Sequence, residues 1–203
     1  MADGGGSSLL RGLMRETKVV GTCPICGRED LVMRSLPLEI PHFGDALQTT
    51  VLCTQCAFRH ADLILGETGP PTRYELSVSG QADLTARVAR SSSGTLRIPE
   101  LEVAVEPGLR GEAFVSNAEG VLRRVRDIVA FLSRSAETRT ERERAKNALR
   151  RIDEMIDGRA PFTLILEDPT GNSAILHEKA RRRSLTAREA ARLKHAPNFR
   201  ISP

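Results

Sequence analysis

The four cysteines of this chain are the residues whose type and spacing point most directly to chemistry. They form two pairs, Cys23 with Cys26 and Cys53 with Cys56, and 26 residues lie between the pairs. Two C-x-x-C turns can offer four thiolates to one ion, and Zn²⁺ takes four sulfur ligands in a tetrahedron. The spacing therefore predicts one structural zinc ion bound by these four cysteines.

A zinc site closed by four sulfur atoms has no open coordination position, so the ion is expected to organise the fold and to perform no catalysis. Two disulfides are an alternative, but they require an oxidising compartment, and the stretch Leu9–Met14 is too short and interrupted for an export signal. A thioredoxin-like redox pair needs only one C-x-x-C, normally within a βαβ unit. His42 and His60 are further candidate ligands, but with four thiolates available both are interpreted as ordinary polar residues.

The residue that follows each cysteine pair bears on the geometry of its turn. Gly27 follows the first pair, where a tight metal-binding turn favours a positive φ. Ala57 occupies the matching place after the second pair, and its side chain disfavours that conformation. The second turn is therefore predicted to carry a small strain or to adopt another geometry.

The composition is that of a folded protein without a membrane span. Apolar residues make up 40% of the 203 residues, and no apolar run approaches the length that crosses a bilayer. The formal net charge of the chain is +4. Residues 178–203 hold eight basic and two acidic residues and have a charge of +6, whereas residues 1–177 have a charge of −2. Only this segment has the charge to attract a polyanion. Reduced, metal-paired cysteines without an export signal predict a cytoplasmic protein.

The pattern along the chain divides it into four parts. They are a flexible Gly/Ser-rich N-terminus (1–18), a zinc ribbon (19–66), a β-domain (72–178) and a basic C-terminal tail (179–203). Within the ribbon, short antiparallel strands are predicted at 31–33, 47–51 and 58–65. Such a small ribbon buries little apolar surface, so the metal is expected to hold it together.

Alternating apolar and polar residues in the β-domain predict short strands, for example at Tyr74–Val78 and Leu101–Val105. A helical hairpin inserted at about 117–157 interrupts them. Its first helix is predicted to begin at a capping box with Ser116 at N-cap and Glu119 at N3. The apolar residues at helical spacing in this helix are Val121, Leu122, Val125, Ile128, Val129 and Leu132. A second amphipathic helix follows.

The stretches Phe162–Leu166 and Ser173–Leu176 flank a loop of turn-forming residues, so they are predicted to pair as a β-hairpin. We interpret the loop, Asp168–Asn172, as local turn geometry rather than as a contact surface. Several short antiparallel strands with a helical insertion predict a mainly β, α+β chain. A β-sandwich or jelly-roll-like domain is expected to follow the ribbon.

The order of short motifs resembles the ZPR-type zinc-finger proteins over roughly residues 19–178. In the ribbon the motifs are Cys23–Cys26, Ile40–Phe43 and Cys53–His60. In the β-domain they are Asp83–Leu84, Ile98–Leu101, Ala118–Leu122 and Phe162–Ser173. The resemblance implies a four-cysteine zinc ribbon followed by a double-stranded β-helix domain with an inserted helical hairpin. Eukaryotic members carry this module twice, and a single copy is similar to the archaeal form.

The resemblance also implies a partner, because the eukaryotic members bind translation elongation factor 1-alpha and are thought to assist its folding. For a single module the corresponding partner is the archaeal-type GTPase. We therefore expect a non-enzymatic, zinc-binding protein–protein interaction module with no membrane partner. Neither a G-x-x-x-x-G-K-[ST] loop nor an H-E-x-x-H motif occurs in the sequence. The alternative is a zinc-ribbon protein that binds RNA or the ribosome weakly through the basic tail, although an aromatic content of 3% leaves little for base stacking.

Overall fold

The structure is a computed structural model that describes residues 13–66, 69–108 and 112–193 and the backbone of 200–201. Its first unit is a five-stranded antiparallel sheet, here called the ribbon sheet, with the strand order β13-β1-β2-β3-β4. The strands are β1 (Arg15–Val20), β2 (Leu31–Ile40), β3 (Gly44–Cys53), β4 (Arg59–Leu65) and β13 (Arg200–Ile201).

The ribbon sheet is more extensive than the sequence pattern predicts. β2 and β3 pair without interruption from Leu31 opposite Cys53 to Ile40 opposite Gly44, so both strands continue to a tight turn. β1 begins at Arg15 and therefore includes residues predicted to be flexible, while residues 1–12 lie outside the described part. Pairing with β2 explains the difference, because a polar segment without a strand pattern can still extend an existing sheet.

The second unit is a sandwich of two antiparallel sheets, here called the sandwich. A five-stranded sheet has the order β12-β5-β10-β7-β8, and a three-stranded sheet has the order β11-β6-β9. The strands are β5 (Thr72–Val78), β6 (Arg87–Arg90), β7 (Thr95–Ile98), β8 (Val103–Val105), β9 (Phe114–Asn117), β10 (Phe162–Asp168), β11 (Ala174–Leu176) and β12 (Arg181–Ser184). Leu76, Val88, Leu164 and Ile175 are among the side chains of its buried core. The predicted mainly β fold class is confirmed.

A hairpin of two helices, α1 (Ala118–Ser135) and α2 (Arg139–Ile156), covers one side of the sandwich. The N-cap of α1 is Asn117 and not the predicted Ser116, because Asn117 Oδ1 accepts a 2.8 Å hydrogen bond from the Gly120 N–H. Ser116 is instead a paired residue of β9. The two helices bury Val121, Leu122, Val125, Ile152 and Met155 in the core. Among the described helices, none is both long and apolar enough to cross a bilayer.

The predicted β-hairpin over residues 162–176 is wrong. β10 lies between β5 and β7, whereas β11 pairs with β6 in the other sheet. The loop between β10 and β11 therefore crosses from one sheet to the other. Turn-forming residues do not distinguish these outcomes, because they favour a chain reversal without specifying its strand partners. Gly171 adopts φ +72°, and a Cβ added there would lie 2.2 Å from the Gly69 carbonyl oxygen, so the crossing requires glycine.

A small apolar cluster joins the ribbon sheet to the sandwich. Its buried members are Ile40, Ala46, Leu63 and Leu65 from the ribbon sheet and Ala89 and Ala174 from the sandwich. Two hydrogen bonds accompany it. The Ser92 N–H donates to Asp62 Oδ1 at 2.8 Å, and the Ala113 N–H donates to the Ala61 carbonyl at 3.3 Å. The two units therefore make direct packed contacts.

The segment after residue 178 joins the sandwich, so the predicted boundary between β-domain and tail is wrong. β12 pairs with β5, and the Leu185 N–H donates to the Pro71 carbonyl at 2.7 Å. Thr186 then caps a short helix, α3 (Ala187–Ala190). The arginine-rich sequence does not resemble a buried strand, but an edge strand needs only backbone pairing and can leave its side chains in solvent. Residues 194–199 and 202–203 of the predicted tail lie outside the described part.

Lys179 anchors this segment to a buried carboxylate. Its Nζ donates to Asp83 Oδ1 at 2.7 Å, and the N–H and hydroxyl of Ser79 each donate to Asp83 Oδ2 at 2.9 Å. The hydrogen bond from Lys179, followed by those from Ser79, holds the pKa of Asp83 well below its usual range. A lowered pKa in the folded state means that the stabilisation is present above the unfolded-state pKa of about 3.9 and is lost as the pH falls below it.

Lys179→Met is therefore predicted to lower the free energy of unfolding by about 1–2 kcal/mol at pH 7. The difference from the unsubstituted chain should persist to about pH 4 and shrink as the pH falls further, toward the low pKa of Asp83 in the folded chain, because protonation of Asp83 removes its ion pair with Lys179. Urea unfolding followed by circular dichroism across this pH range measures this. Lys146→Met is the control, since its exposed pair with Glu143 at 3.2 Å contributes at most about 0.5 kcal/mol. Equal losses in the two variants would contradict the prediction.

Candidate metal centre

Two turns of the ribbon sheet bring the four predicted cysteines together. Cys23 and Cys26 lie in the turn between β1 and β2. Cys53 is the last residue of β3, and Cys56 lies in the turn before β4. Because Cys53 pairs with Leu31 at the start of β2, the strand ladder places the two turns side by side.

The sulfur atoms have the spacing of a tetrahedral site. Cys23 Sγ lies 3.5 Å from Cys56 Sγ, Cys26 Sγ lies 3.7 Å from Cys53 Sγ, and all four lie within 4.8 Å of one another. A tetrahedron with Zn–S bonds of about 2.3 Å has sulfur–sulfur edges of about 3.8 Å. The sulfur–sulfur distances are too long for disulfides, whose bond length is about 2.05 Å. The residues therefore fit one structural Zn²⁺.

The pKa shifts of two of the four thiols agree with a shared cation site. Burial raises the pKa of Cys23, but hydrogen bonds from the Cys26 and Ile25 N–H groups and from neighbouring thiols lower it to about 7. At Cys56 a hydrogen bond from the Phe58 N–H lowers the pKa, whereas burial and the neighbouring thiols raise it to about 12. The shifts are opposite because the hydrogen bonds between the thiols favour ionisation of one sulfur and disfavour ionisation of another. A divalent cation stabilises all four sulfurs as thiolates, and a set of soft thiolate ligands suits zinc.

The two candidate histidines lie outside this centre. Among the described residues, the cysteine group is the one set of three or more His, Cys, Asp or Glu side chains whose ligand atoms converge on a metal position. His42 lies in the turn between β2 and β3 with φ 71°, and His60 is buried in β4. Both therefore belong to the fold of the ribbon sheet rather than to the ligand set.

Both metal-binding turns end in a left-handed residue. Gly27 has φ 71° and Ala57 has φ 58°, so Ala57 carries the predicted strain instead of changing the geometry of its turn. This conformation costs a residue with a side chain about 1–2 kcal/mol. Apart from its chain neighbours, no atom of the described residues lies within 4 Å of a Cβ placed on Gly27, so backbone strain is what distinguishes glycine from alanine there.

We predict that Ala57→Gly raises the free energy of unfolding of the ribbon sheet by about 0.5–1 kcal/mol, because the released strain exceeds the extra freedom of glycine in the unfolded chain. Gly27→Ala should lower it by a similar amount. Urea unfolding of the zinc-loaded chain, followed by circular dichroism, measures both changes. A shift in the same direction for the two variants would refute the prediction.

A second surface lies on α1, where the apolar pattern continues past the core. Val125 is buried, but Ile128, Phe131 and Leu132 are 51%, 61% and 56% exposed. We call these three residues the hairpin patch. The sequence pattern assigned Ile128 and Leu132 to the buried face and did not single out Phe131. The length of α1 was the one feature that could have indicated this exposure, because an 18-residue helix extends about 27 Å and reaches past the sheets that cover its first half.

Comparisons with known proteins agree with both units. The ZPR1 jelly-roll domain matches residues 82–196, which is more than half of the chain. A ZPR1-like protein of Methanocaldococcus jannaschii is 42% identical over 173 residues, covering 85% of this chain and 87% of that protein. A ZPR1-like protein of Pyrococcus horikoshii is 38% identical over 193 residues, covering 91% of this chain and 84% of that protein.

Eukaryotic relatives are longer. The zinc finger chaperone zpr1 of Schizosaccharomyces pombe is 31% identical over 159 residues, covering 75% of this chain but 34% of that protein. The archaeal proteins are thus matched over most of their length and the eukaryotic protein over about a third. The four-cysteine zinc site, the jelly-roll sandwich and these similarities lead to one conclusion: this chain belongs to the ZPR1 family, in the form that resembles the archaeal proteins.

Proposed function

We propose that this chain is a zinc-organised protein–protein interaction module that binds translation elongation factor 1-alpha of the archaeal type and assists its folding. The observation that carries the proposal is the hairpin patch, whose three large apolar side chains are each more than half exposed. Clustered apolar side chains on a rigid element are typical of a surface that another protein covers. The family resemblance supports the choice of partner, and the relative named as a zinc finger chaperone supports the folding role.

A groove beside the hairpin patch enlarges this surface. It has a volume of about 920 Å³ and lies between the two helices and the turn before β8. Leu101, Val129 and Ala148 are among its apolar lining residues, while Glu141 and Arg144 supply charges. A groove lined by apolar and charged groups together suits an amphipathic segment of a protein partner.

We propose that the zinc ion serves this contact by stiffening the ribbon sheet and performs no catalysis itself. Four sulfur ligands leave no position at which the metal could bind and activate water. Ile25, between two of the ligands, is 55% exposed and offers an apolar contact on the metal-binding turn. Reduced thiols at metal-binding distance support a cytoplasmic location, where thiols are kept reduced.

Phe131→Ser is predicted to weaken binding to purified elongation factor 1-alpha at least about ten-fold, because burial of a large apolar side chain contributes about 1.5–3 kcal/mol. Arg134→Ser is the matched control, since it shortens an exposed side chain on the same helix without removing apolar area from the patch. Surface plasmon resonance with nucleotide-free, GDP-bound and GTP-bound factor measures both. No binding in any nucleotide state would overturn the proposed function. Equal weakening in the two variants would exclude the patch as the contact.

RNA or ribosome binding is the alternative function, and the exposed side chains of β12 favour it. However, Arg183 donates to Glu189 at 2.7 and 3.0 Å, and the Arg182 guanidinium lies 5.9 Å from the Tyr74 ring centre. Two of the three arginines of β12 thus already have contacts within the chain. A pull-down from lysate at about 50 and 200 mM salt separates the functions, because RNA binding through arginines falls steeply with salt. Recovery of RNA at low salt without the elongation factor would favour the alternative.

A further inference from the structure

The open end of the sandwich holds a cavity next to the hairpin patch, and Ile128 belongs to both. It lies between the edge strands β8 and β9 and beneath α1, and its volume is about 230 Å³. Most of the surface that lines it is apolar, with Leu96, Val105 and Val125 among the contributing residues. Cavities at the mouths of β-barrels and sandwiches are common ligand sites when a few polar groups converge in them.

Arg90 is the buried polar group of this cavity, with 2% of its surface exposed. Its Nε donates to the Gly94 carbonyl at 2.8 Å and its Nη1 donates to the Glu112 carbonyl at 3.0 Å. Its Nη2 has no hydrogen-bond partner among the described residues. A buried donor without an acceptor costs free energy, so the guanidinium of Arg90 would be stabilised by an acceptor that a ligand brings into the cavity.

Arg124 brings a second guanidinium to the same place. The Arg124 Cζ lies 4.6 Å and the Arg90 Cζ lies 5.9 Å from the centre of the Phe114 ring, which also lines the cavity. Two cations therefore flank one aromatic ring. Burial lowers the pKa of Arg90, the nearby carboxylates of Asp168 and Asp62 raise it, and repulsion from Arg124 lowers it. An anion placed between two like charges relieves their repulsion.

We propose that this cavity binds a small monocarboxylate with an apolar body, whose carboxylate is held by Arg90 and Arg124 and whose hydrocarbon part fills the apolar end. The volume of about 230 Å³ lies below the range of about 300–1,000 Å³ typical of pockets for drug-sized ligands, so it suits a short acid or one amino-acid residue. Glu106 and Glu112 also line the cavity and bring its formal charge to zero, which disfavours ligands with several negative charges. The carboxylate belongs either to a free acid or to the C-terminal residue of a polypeptide.

The test is an NMR titration of the zinc-loaded full chain with 4-methylpentanoate. We expect shifts at the backbone amides of Val105 and Phe114 and a dissociation constant of about 1 mM for a ligand of this size. The neutral amide, 4-methylpentanamide, should bind about ten-fold more weakly because it lacks the charge-assisted hydrogen bonds. N-acetyl-leucine identifies the source: tighter binding than 4-methylpentanoate supports a polypeptide C-terminus, and weaker binding supports a free acid.

Arg124→Gln provides a variant that spares the core, since Arg124 is exposed. It should weaken binding of the acid about five- to ten-fold. Arg123→Gln removes the same charge from the adjacent position of α1, does not line the cavity, and should bind like the unsubstituted chain. The absence of shifts at about 10 mM acid, equal affinity for acid and amide, or equal weakening in the two variants would overturn the proposal.

Discussion

Cys53→Ser is expected to release the zinc ion and to unfold the ribbon sheet while the sandwich stays folded. The apolar cluster at the metal end is small, and its buried members are Val19, Cys23, Leu31, Val51, Cys53 and Phe58. Two of these six residues are themselves ligands, so the cluster loses its anchor when the metal leaves. Zinc binding contributes about 10 kcal/mol or more in small zinc modules, which exceeds what a cluster of this size supplies.

Zinc content by mass spectrometry and dispersion of the NMR signals of Val51 and Leu164 measure this prediction. We expect the ribbon-sheet signal of Val51 to collapse and the sandwich signal of Leu164 to persist. Thr54→Ser, an exposed substitution in the same turn, is the matched control and should retain one zinc ion per chain. Unchanged zinc content in Cys53→Ser, or an intact ribbon sheet after complete chelation, would contradict the assignment of the metal centre.

Asp168→Ala is expected to lower the free energy of unfolding of the sandwich by about 3–5 kcal/mol. Asp168 is 1% exposed and stands where the chain crosses between the two sheets. Its Oδ2 accepts hydrogen bonds from the hydroxyls of Ser91 at 2.6 Å and Ser173 at 2.5 Å, and its Oδ1 accepts from the Thr170 N–H at 2.7 Å. The substitution leaves these donors unpaired and removes a negative charge near the buried guanidinium of Arg90.

Urea unfolding followed by circular dichroism measures the effect, and Asp157→Ala is the control. Asp157 accepts its hydrogen bond from Arg159 at 2.6 Å in solvent, where an ion pair contributes at most about 1 kcal/mol. Asp168→Asn should have an intermediate effect, because it keeps the size of the side chain and part of its hydrogen bonding. Equal losses for Asp157→Ala and Asp168→Ala would show that the loop between β10 and β11 is not held by this carboxylate.

The zinc centre could be predicted from the sequence because its determinants are local. Each C-x-x-C turn presents two sulfurs whatever lies around it, and the ion requires four of them. The helical hairpin was predictable for a similar reason, since apolar spacing of 3.6 residues and a capping residue act within a single helix. The N-cap of α1 is nevertheless Asn117, one residue after the predicted Ser116, because the local pattern does not show that Ser116 pairs in β9.

The strand partners of the sandwich could not be predicted in the same way. Phe162–Leu166 and Ser173–Leu176 are joined by a short loop and still end in different sheets, since β5 and β7 occupy both sides of β10. Arg181–Ser184 has the composition of a solvated tail and pairs as an edge strand because β5 offers a free edge. The exposure of Phe131 depended on where the sheets end beneath α1.

The metal ligands, the helices, the strand-rich character of the chain and the family resemblance could thus all be inferred from the order of the residues. The strand neighbours, the point where the apolar face of α1 leaves the core and the meeting of Arg90 and Arg124 at one aromatic ring became visible only in the folded chain. The difference lies in sequence separation, because turns, helix caps and C-x-x-C metal-binding turns depend on residues only a few positions apart. Sheet order and cavities instead depend on which distant segments compete successfully for the same edge or the same buried space.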